Sequence, residues 1–252
     1  MKPITATTTL LLATFLMGCG GGSSSGPPTN AQLNGSWHAT LISPTSGRNS
    51  DVELFMLQNG STLTANQVFM GTTCSSVGTM SGLVSRNSIN MSITGNEGDT
   101  ISFTGTASSG TSFSGSYIAK TSGQCSLNDE MGTFSATLIP SVQSASWTGT
   151  TESTQYAPGN TTFTANLTED TSGKITGTLT FTTSSGSSAS CPSLATGPVT
   201  GYQAGNTMSL SDNQADGLGL GGTMDNSAKN ISGRYVISIC AGDNGNVTMS
   251  RP

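Results

Sequence analysis

The sequence predicts an all-β chain of two tandem antiparallel meander domains, most simply small eight-stranded barrels; patterning leaves open the alternative of two β-sandwiches. Three observations point there. Apolar residues alternate with Ser, Thr and Asn over many short runs, as half-buried strands require. No stretch beyond the first residues shows a helical period. The chain also repeats itself.

The repeat appears when Trp37 is set against Trp147. The Asn59-Gly60 hairpin then falls beside the turn from Glu169 to Gly173, and Cys74 beside Cys191. Gly78-Thr-Met-Ser-Gly82 lies on Gly197-Pro-Val-Thr-Gly201, and Asn90-Met-Ser-Ile93 on Thr207-Met-Ser-Leu210. Phe103-Thr-Gly-Thr106 matches Leu220-Gly-Gly-Thr223. The best pair is Phe113-Ser-Gly-Ser-Tyr117 with Ile231-Ser-Gly-Arg-Tyr235, followed by Cys125 and Cys240 respectively. Asp129 with Gly132 mirrors Asp243 with Gly245. The two repeat domains are thus 34–140 and 145–252, with Pro140 to Ser144 as connector.

In the first copy strands are expected over 35–43, 52–58, 61–70, 79–84, 88–94, 100–106, 111–119 and 132–138. In the second they are expected over 146–153, 161–168, 174–182, 197–202, 205–211, 216–223, 230–239 and 245–250. Short turns such as Asn59-Gly60, Ser85-Arg86-Asn87 and Ser108-Ser109-Gly110 make consecutive strands antiparallel neighbours. Closure is favoured by the inward faces, which collect Ile89/Met91/Ile93, Ile101/Phe103/Gly105 and Phe113/Gly115/Tyr117. Glycines recur on those faces in both copies: Gly82 and Gly201, Gly105 and Gly222, Gly115 and Gly233. A missing inward side chain lets a strand bend or a bulky neighbour cross it.

The chain begins with Lys2 and a mostly apolar run from Ile4 to Met17, too short and polar for a permanent span but suited to a signal peptide. It ends in Leu16-Met17-Gly18-Cys19, followed at once by Gly20-Gly21-Gly22-Ser23-Ser24-Ser25-Gly26-Pro27-Pro28. This resembles a bacterial lipobox. The resemblance implies cleavage of residues 1–18, acylation of Cys19 with palmitate-type chains, and residues 19–33 as a tether reaching roughly 20 Å. The implied partner is a membrane, and Gly20 where an inner-membrane protein would carry aspartate implies the outer one. The expected location is the cell envelope.

If Cys19 takes lipid, Cys74, Cys125, Cys191 and Cys240 remain, and four cysteines allow three pairings. The repeat selects one bridge per copy, Cys74–Cys125 and Cys191–Cys240. In a meander, alternate loops share an end, so each bridge would clamp one barrel mouth.

Gly35-Ser36-Trp37 opening a first strand resembles the lipocalin and avidin group of barrels, where a G-x-W tryptophan plugs one end. The second copy reads Ala145-Ser146-Trp147. The resemblance also implies a late arginine against the tryptophan, a place Arg251 fills in the second copy only. Neither the second lipocalin motif nor a closing helix is present.

Enzyme chemistry finds few residues to work with. His38 is the only histidine, its counterpart is Thr148, and it reads as a surface or mouth residue rather than a general base. No catalytic residue, cofactor or metal centre is expected. Asp212, Asp216 and Gly217 begin like a calcium loop, but Thr223 stands where the bidentate acid belongs. Asp129-Glu130 and Asp243-Asn244 read as turn chemistry. Losing Lys2 from the eight basic residues leaves seven against 13 acidic ones, which argues against nucleic acid as a partner. The candidate ligand-facing residues are Trp37, Tyr117, Trp147 and Tyr235. Two readings follow: a non-catalytic envelope lipoprotein whose barrels bind a small apolar molecule or a glycan, or a structural or interaction lipoprotein with filled barrels and no ligand. Interior volume discriminates between them.

Overall fold

The computed structural model describes residues 29–71, 75–120, 130–142, 145–154, 160–182, 197–212, 217–237 and 243–252. Cys19 and the four cysteines proposed to form bridges lie outside them, as do Asp129 and Asp216.

The first eight strands are β1 (Gly35–Ile42), β2 (Asn49–Asn59), β3 (Thr62–Met70), β4 (Val77–Ser85), β5 (Ser88–Gly95), β6 (Thr100–Ser109), β7 (Ser112–Lys120) and β8 (Glu130–Ile139). The second eight are β9 (Ala145–Ser153), β10 (Asn160–Glu169), β11 (Lys174–Thr182), β12 (Gly197–Ala204), β13 (Thr207–Ser211), β14 (Leu218–Met224), β15 (Asn230–Ile237) and β16 (Asp243–Ser250). Each set is an antiparallel meander closed on itself, β1 pairing with β8 and β9 with β16. Two closed barrels in tandem are therefore the fold, and the sandwich alternative is excluded. The predicted strand at 205–211 starts later, at Thr207, because Gly205 adopts φ +53° and makes the turn that precedes it.

Alternation explains the cores. In β5, Ile89, Met91 and Ile93 are buried while Ser88, Asn90 and Thr94 face water. Five rings run through the first barrel from its sealed end towards the opposite end. Trp37 lies 4.7 Å from Phe113, Phe113 lies 5.8 Å from Phe134, Phe134 lies 5.1 Å from Phe103, and Phe103 lies 6.4 Å from Tyr117. The second barrel is filled mainly by aliphatic side chains, among them Leu167, Ile175, Leu179, Leu210 and Met249, around the fully buried Trp147.

Each sealed end has its own stopper. Leu33, in the segment read as tether, is fully buried; its carbonyl accepts the Trp37 indole N–H at 2.9 Å. Gln58 fixes this segment by accepting the Leu33 N–H at 2.7 Å and donating to the Ala31 carbonyl at 2.9 Å. In the second barrel Val142 takes that place. Gln203 accepts its N–H at 3.1 Å and donates to the Pro140 carbonyl at 3.1 Å. Arg251 donates to the Val142 carbonyl at 2.9 Å with its guanidinium 5.4 Å from the centre of the Trp147 ring.

The inward glycines mark the tightest strand contacts. Gly105 pairs with Gly115 and Gly222 with Gly233 at equivalent registers of β6–β7 and β14–β15. A Cβ on Gly115 would land on the Thr104 carbonyl oxygen and 2.5 Å from the Gly105 Cα. Backbone, not a movable side chain, occupies the space.

Candidate functional site

The four residues expected to face a ligand lie in the barrel interiors. Trp37, Tyr117, Trp147 and Tyr235 are all buried, at 0, 4, 0 and 2% exposure. The tryptophans close the sealed ends, while the tyrosines stand near the opposite ends in matching constellations. Tyr117 pairs with Gly132 and Tyr235 with Gly245, and a carboxylate lies two residues earlier on each partner strand. The Tyr117 hydroxyl donates to Glu130 at 3.2 Å and the Tyr235 hydroxyl to Asp243 at 3.0 Å. Burial and the adjacent carboxylates push both phenols up to about 12. Ser43 and Ser46 hold Glu130 below the usual range, and Ser153 donates to Asp243 at 2.6 Å. The register therefore aligns Glu130, not Asp129, with Asp243. These are internally satisfied polar clusters, with the acid accepting and the phenol donating.

The two barrels meet along β2 and β12. Phe55 points out of the first barrel yet is only 5% exposed, because Gly173 and the Tyr202 ring, 6.2 Å away edge-on, cover it. Gly205 donates its N–H to the Leu54 carbonyl at 3.3 Å, and Asn206 donates its N–H to Glu53 at 2.7 Å. The other Glu53 oxygen lies 2.6 Å from His38 Nδ1. His38 is thus on the outer wall beside this junction, not at a mouth. Its hydrogen bond to Glu53 raises its pKa, with Asp51 adding to the effect. Nearby, burial raises Glu169 to about 7 although it accepts the Val142 N–H at 2.6 Å.

Both groups have folded pKa values above their unfolded ones. The stability each contributes is complete below its unfolded value and is lost as pH rises through the folded value, which for Glu169 means through about 7. Glu130 has the opposite sign: its contribution is present above the ordinary carboxylate range and is lost as pH falls through its lowered value. The melting temperature should accordingly be highest in mildly acidic buffer and lower by a few degrees at pH 8. Thermal melts from pH 4 to 9 check this, and Glu169→Gln with His38→Gln should flatten the decline above neutrality.

Among the described residues, two depressions stand out on the outer walls. One, of about 800 Å³, is lined on the second barrel by Thr148, Thr150, Thr162, Thr164 and Thr248 together with Gly149 and Phe163. Its hydroxyls partly bond one another, as Thr150 and Thr248 do at 2.9 Å. The other, of about 700 Å³, lies at the junction and takes residues from both barrels: Asn66, Gln67, Thr79 and Asn96 from one, Ser172 and Tyr202 from the other. Among the described residues no three His, Cys, Asp or Glu side chains gather to hold a metal ion. Asp212, which starts the calcium-like stretch, accepts the Leu218 N–H at 2.8 Å as a turn residue does.

Sequence reasoning missed the junction. Its one signal was Leu54-Phe55-Met56-Leu57, four consecutive apolar residues that break the alternation of β2, the first three of them buried.

No family model matches the chain, and no curated protein matches it significantly. Among solved structures, it is similar to a protein of unknown function from the DUF3598 family of Nostoc punctiforme, at 12% identity and a TM-score of 0.28, over 87% of this chain and 96% of the other. It is also similar to intact Ap-TbpB, comprising N and C lobes, at 13% identity and a TM-score of 0.24, over 86% of this chain and 46% of the other.

Proposed function

We propose that this is a non-catalytic lipoprotein of the cell envelope, held to the outer membrane through Cys19, that works through the outer walls of two filled barrels. The observation that carries the reading is the packed interior: five rings occupy the first barrel from Trp37 to Tyr117, and the constellations repeated in both copies are spent on internal hydrogen bonds. An apolar ligand would have to displace side chains already in van der Waals contact. The grooves at hand are external and free of such a cost. A membrane anchor followed by a Gly/Ser/Pro-rich stretch suits a module that meets its partner at a distance from the bilayer.

Two measurements test this. Fatty acids, retinoids and hydrophobic dyes titrated into the mature chain should leave the Trp37 and Trp147 fluorescence unchanged. Saturable quenching at stoichiometric ligand would replace the filled-barrel reading with that of an apolar-ligand carrier. Mass spectrometry of the native N-terminus should show an acylated Cys19; an unmodified N-terminus beyond it would remove the anchor.

A further inference from the structure

The junction groove has the chemistry of a neutral-glycan site, and we infer that it binds an uncharged oligosaccharide; this rests on the reading that the barrels act through their outer walls. The β3–β4 pairing shifts register between Ala65 and Val68, and the inserted residue leaves Asn66 and Gln67 both exposed, where a regular strand would bury one of them. Two adjacent amides, each with donors and an acceptor, are thereby aimed off the wall. Neither makes a hydrogen bond among the described residues, and neither does the Tyr202 hydroxyl across the groove.

Tyr202 supplies the second element. Its ring is half-exposed and held from behind by Phe55, so one apolar surface with a polar tip faces the groove in a fixed orientation. Sugars present apolar C–H faces and vicinal hydroxyls; rings stack on the first and amides pair with the second. Thr79 and Thr94 add hydroxyls, and the Ser172 hydroxyl, which donates to Asp170 at 2.6 Å, borders them. None of the lining residues is charged. An anionic polymer would find no cation here; the nearest charges are carboxylates at the rim, Glu97 accepting from Asn96 and Asp170 from Ser172. The Thr-lined trough on the second barrel has hydroxyls but no comparable exposed ring or free amides. The junction is the better site because both barrels build it, with Glu53–Asn206 and Gly205–Leu54 fixing its two walls.

Affinity electrophoresis and calorimetry of the mature chain with a soluble glucan, a galactomannan and chito-oligosaccharides test the inference, with an anionic uronan and a peptide mixture alongside. At least one neutral glycan should bind, and Asn66→Ala/Gln67→Ala should weaken it tenfold or more with an unchanged melting temperature. Tyr202→Phe should weaken it less. Thr150→Ala/Thr164→Ala in the other trough should leave it within twofold. Binding of no neutral glycan, binding of the uronan or peptides alone, or full affinity in the Asn66/Gln67 variant would overturn the site. Loss of affinity in the trough variant instead would assign the glycan elsewhere. Each of these outcomes is independent of Trp37 and Trp147 quenching by apolar ligands, which tests the filled barrels by themselves.

Discussion

Gly115→Val is expected to abolish folding of the first barrel. Gly115 faces inward where β7 crosses β6, and its partner in register is another glycine, Gly105. The space a side chain would need is held by the Thr104 carbonyl and the Gly105 Cα. Relief requires the two strands to separate, which breaks hydrogen bonds on both sides and the ring packing of Phe113 and Tyr117. Overpacking of ordinary cores costs about 1–3 kcal/mol, and a clash against backbone belongs at or above the top of that range. Soluble yield and denaturant unfolding read the effect. Gly110→Ala is the control, since nothing lies within 4 Å of its Cβ position. Equal stability of the two variants would mean that β6 and β7 are not in close contact there.

Trp37→Ala should cost about 3–5 kcal/mol, a large share of the stability of a domain this size. The indole is fully buried, packs 4.7 Å from Phe113, and ties the incoming chain to the barrel through the Leu33 carbonyl. Its loss would leave a cavity at the sealed end and release residues 29–34. Urea titration should therefore show a lower midpoint, and limited proteolysis should cut before Gly35 under native conditions. A cost below about 1 kcal/mol would show that Leu33 and Gln58 seal the barrel without the ring.

Much of this architecture was legible because it is local. Alternation and turn chemistry are read within ten residues, and the repeat by itself aligns Gly105 with Gly222 and Gly115 with Gly233. The place of Arg251 against Trp147 followed from the resemblance to lipocalin-type barrels and is filled at 5.4 Å. What escaped depends on distant partners. Glu53 meets Asn206 across more than 150 positions in the chain, and no periodic signal links them. The bulge at Asn66-Gln67 is invisible in a run that still looks like a strand. The slip from Glu130 to Asp129 arose because the loops before β8 and β16 differ in length, so only strand register could set the match. Leu33 looked like tether because a single apolar residue carries no period.

Both barrels are even-numbered meanders whose first and last strands are neighbours, Ser36 opposite Ile139 and Thr148 opposite Ser250. Entry and exit of the polypeptide thus meet at the sealed end of each unit. A gene segment encoding such a unit can be duplicated in frame with only a few linking codons, since the second copy starts where the first one stops and nothing has to cross a barrel. The same adjacency makes the unit a natural subject for circular permutation: joining old ends by a short bridge and opening a hairpin at the other end would leave every strand pair intact. The hairpins at that far end are free to lengthen and diverge between copies while the ends that join them stay fixed.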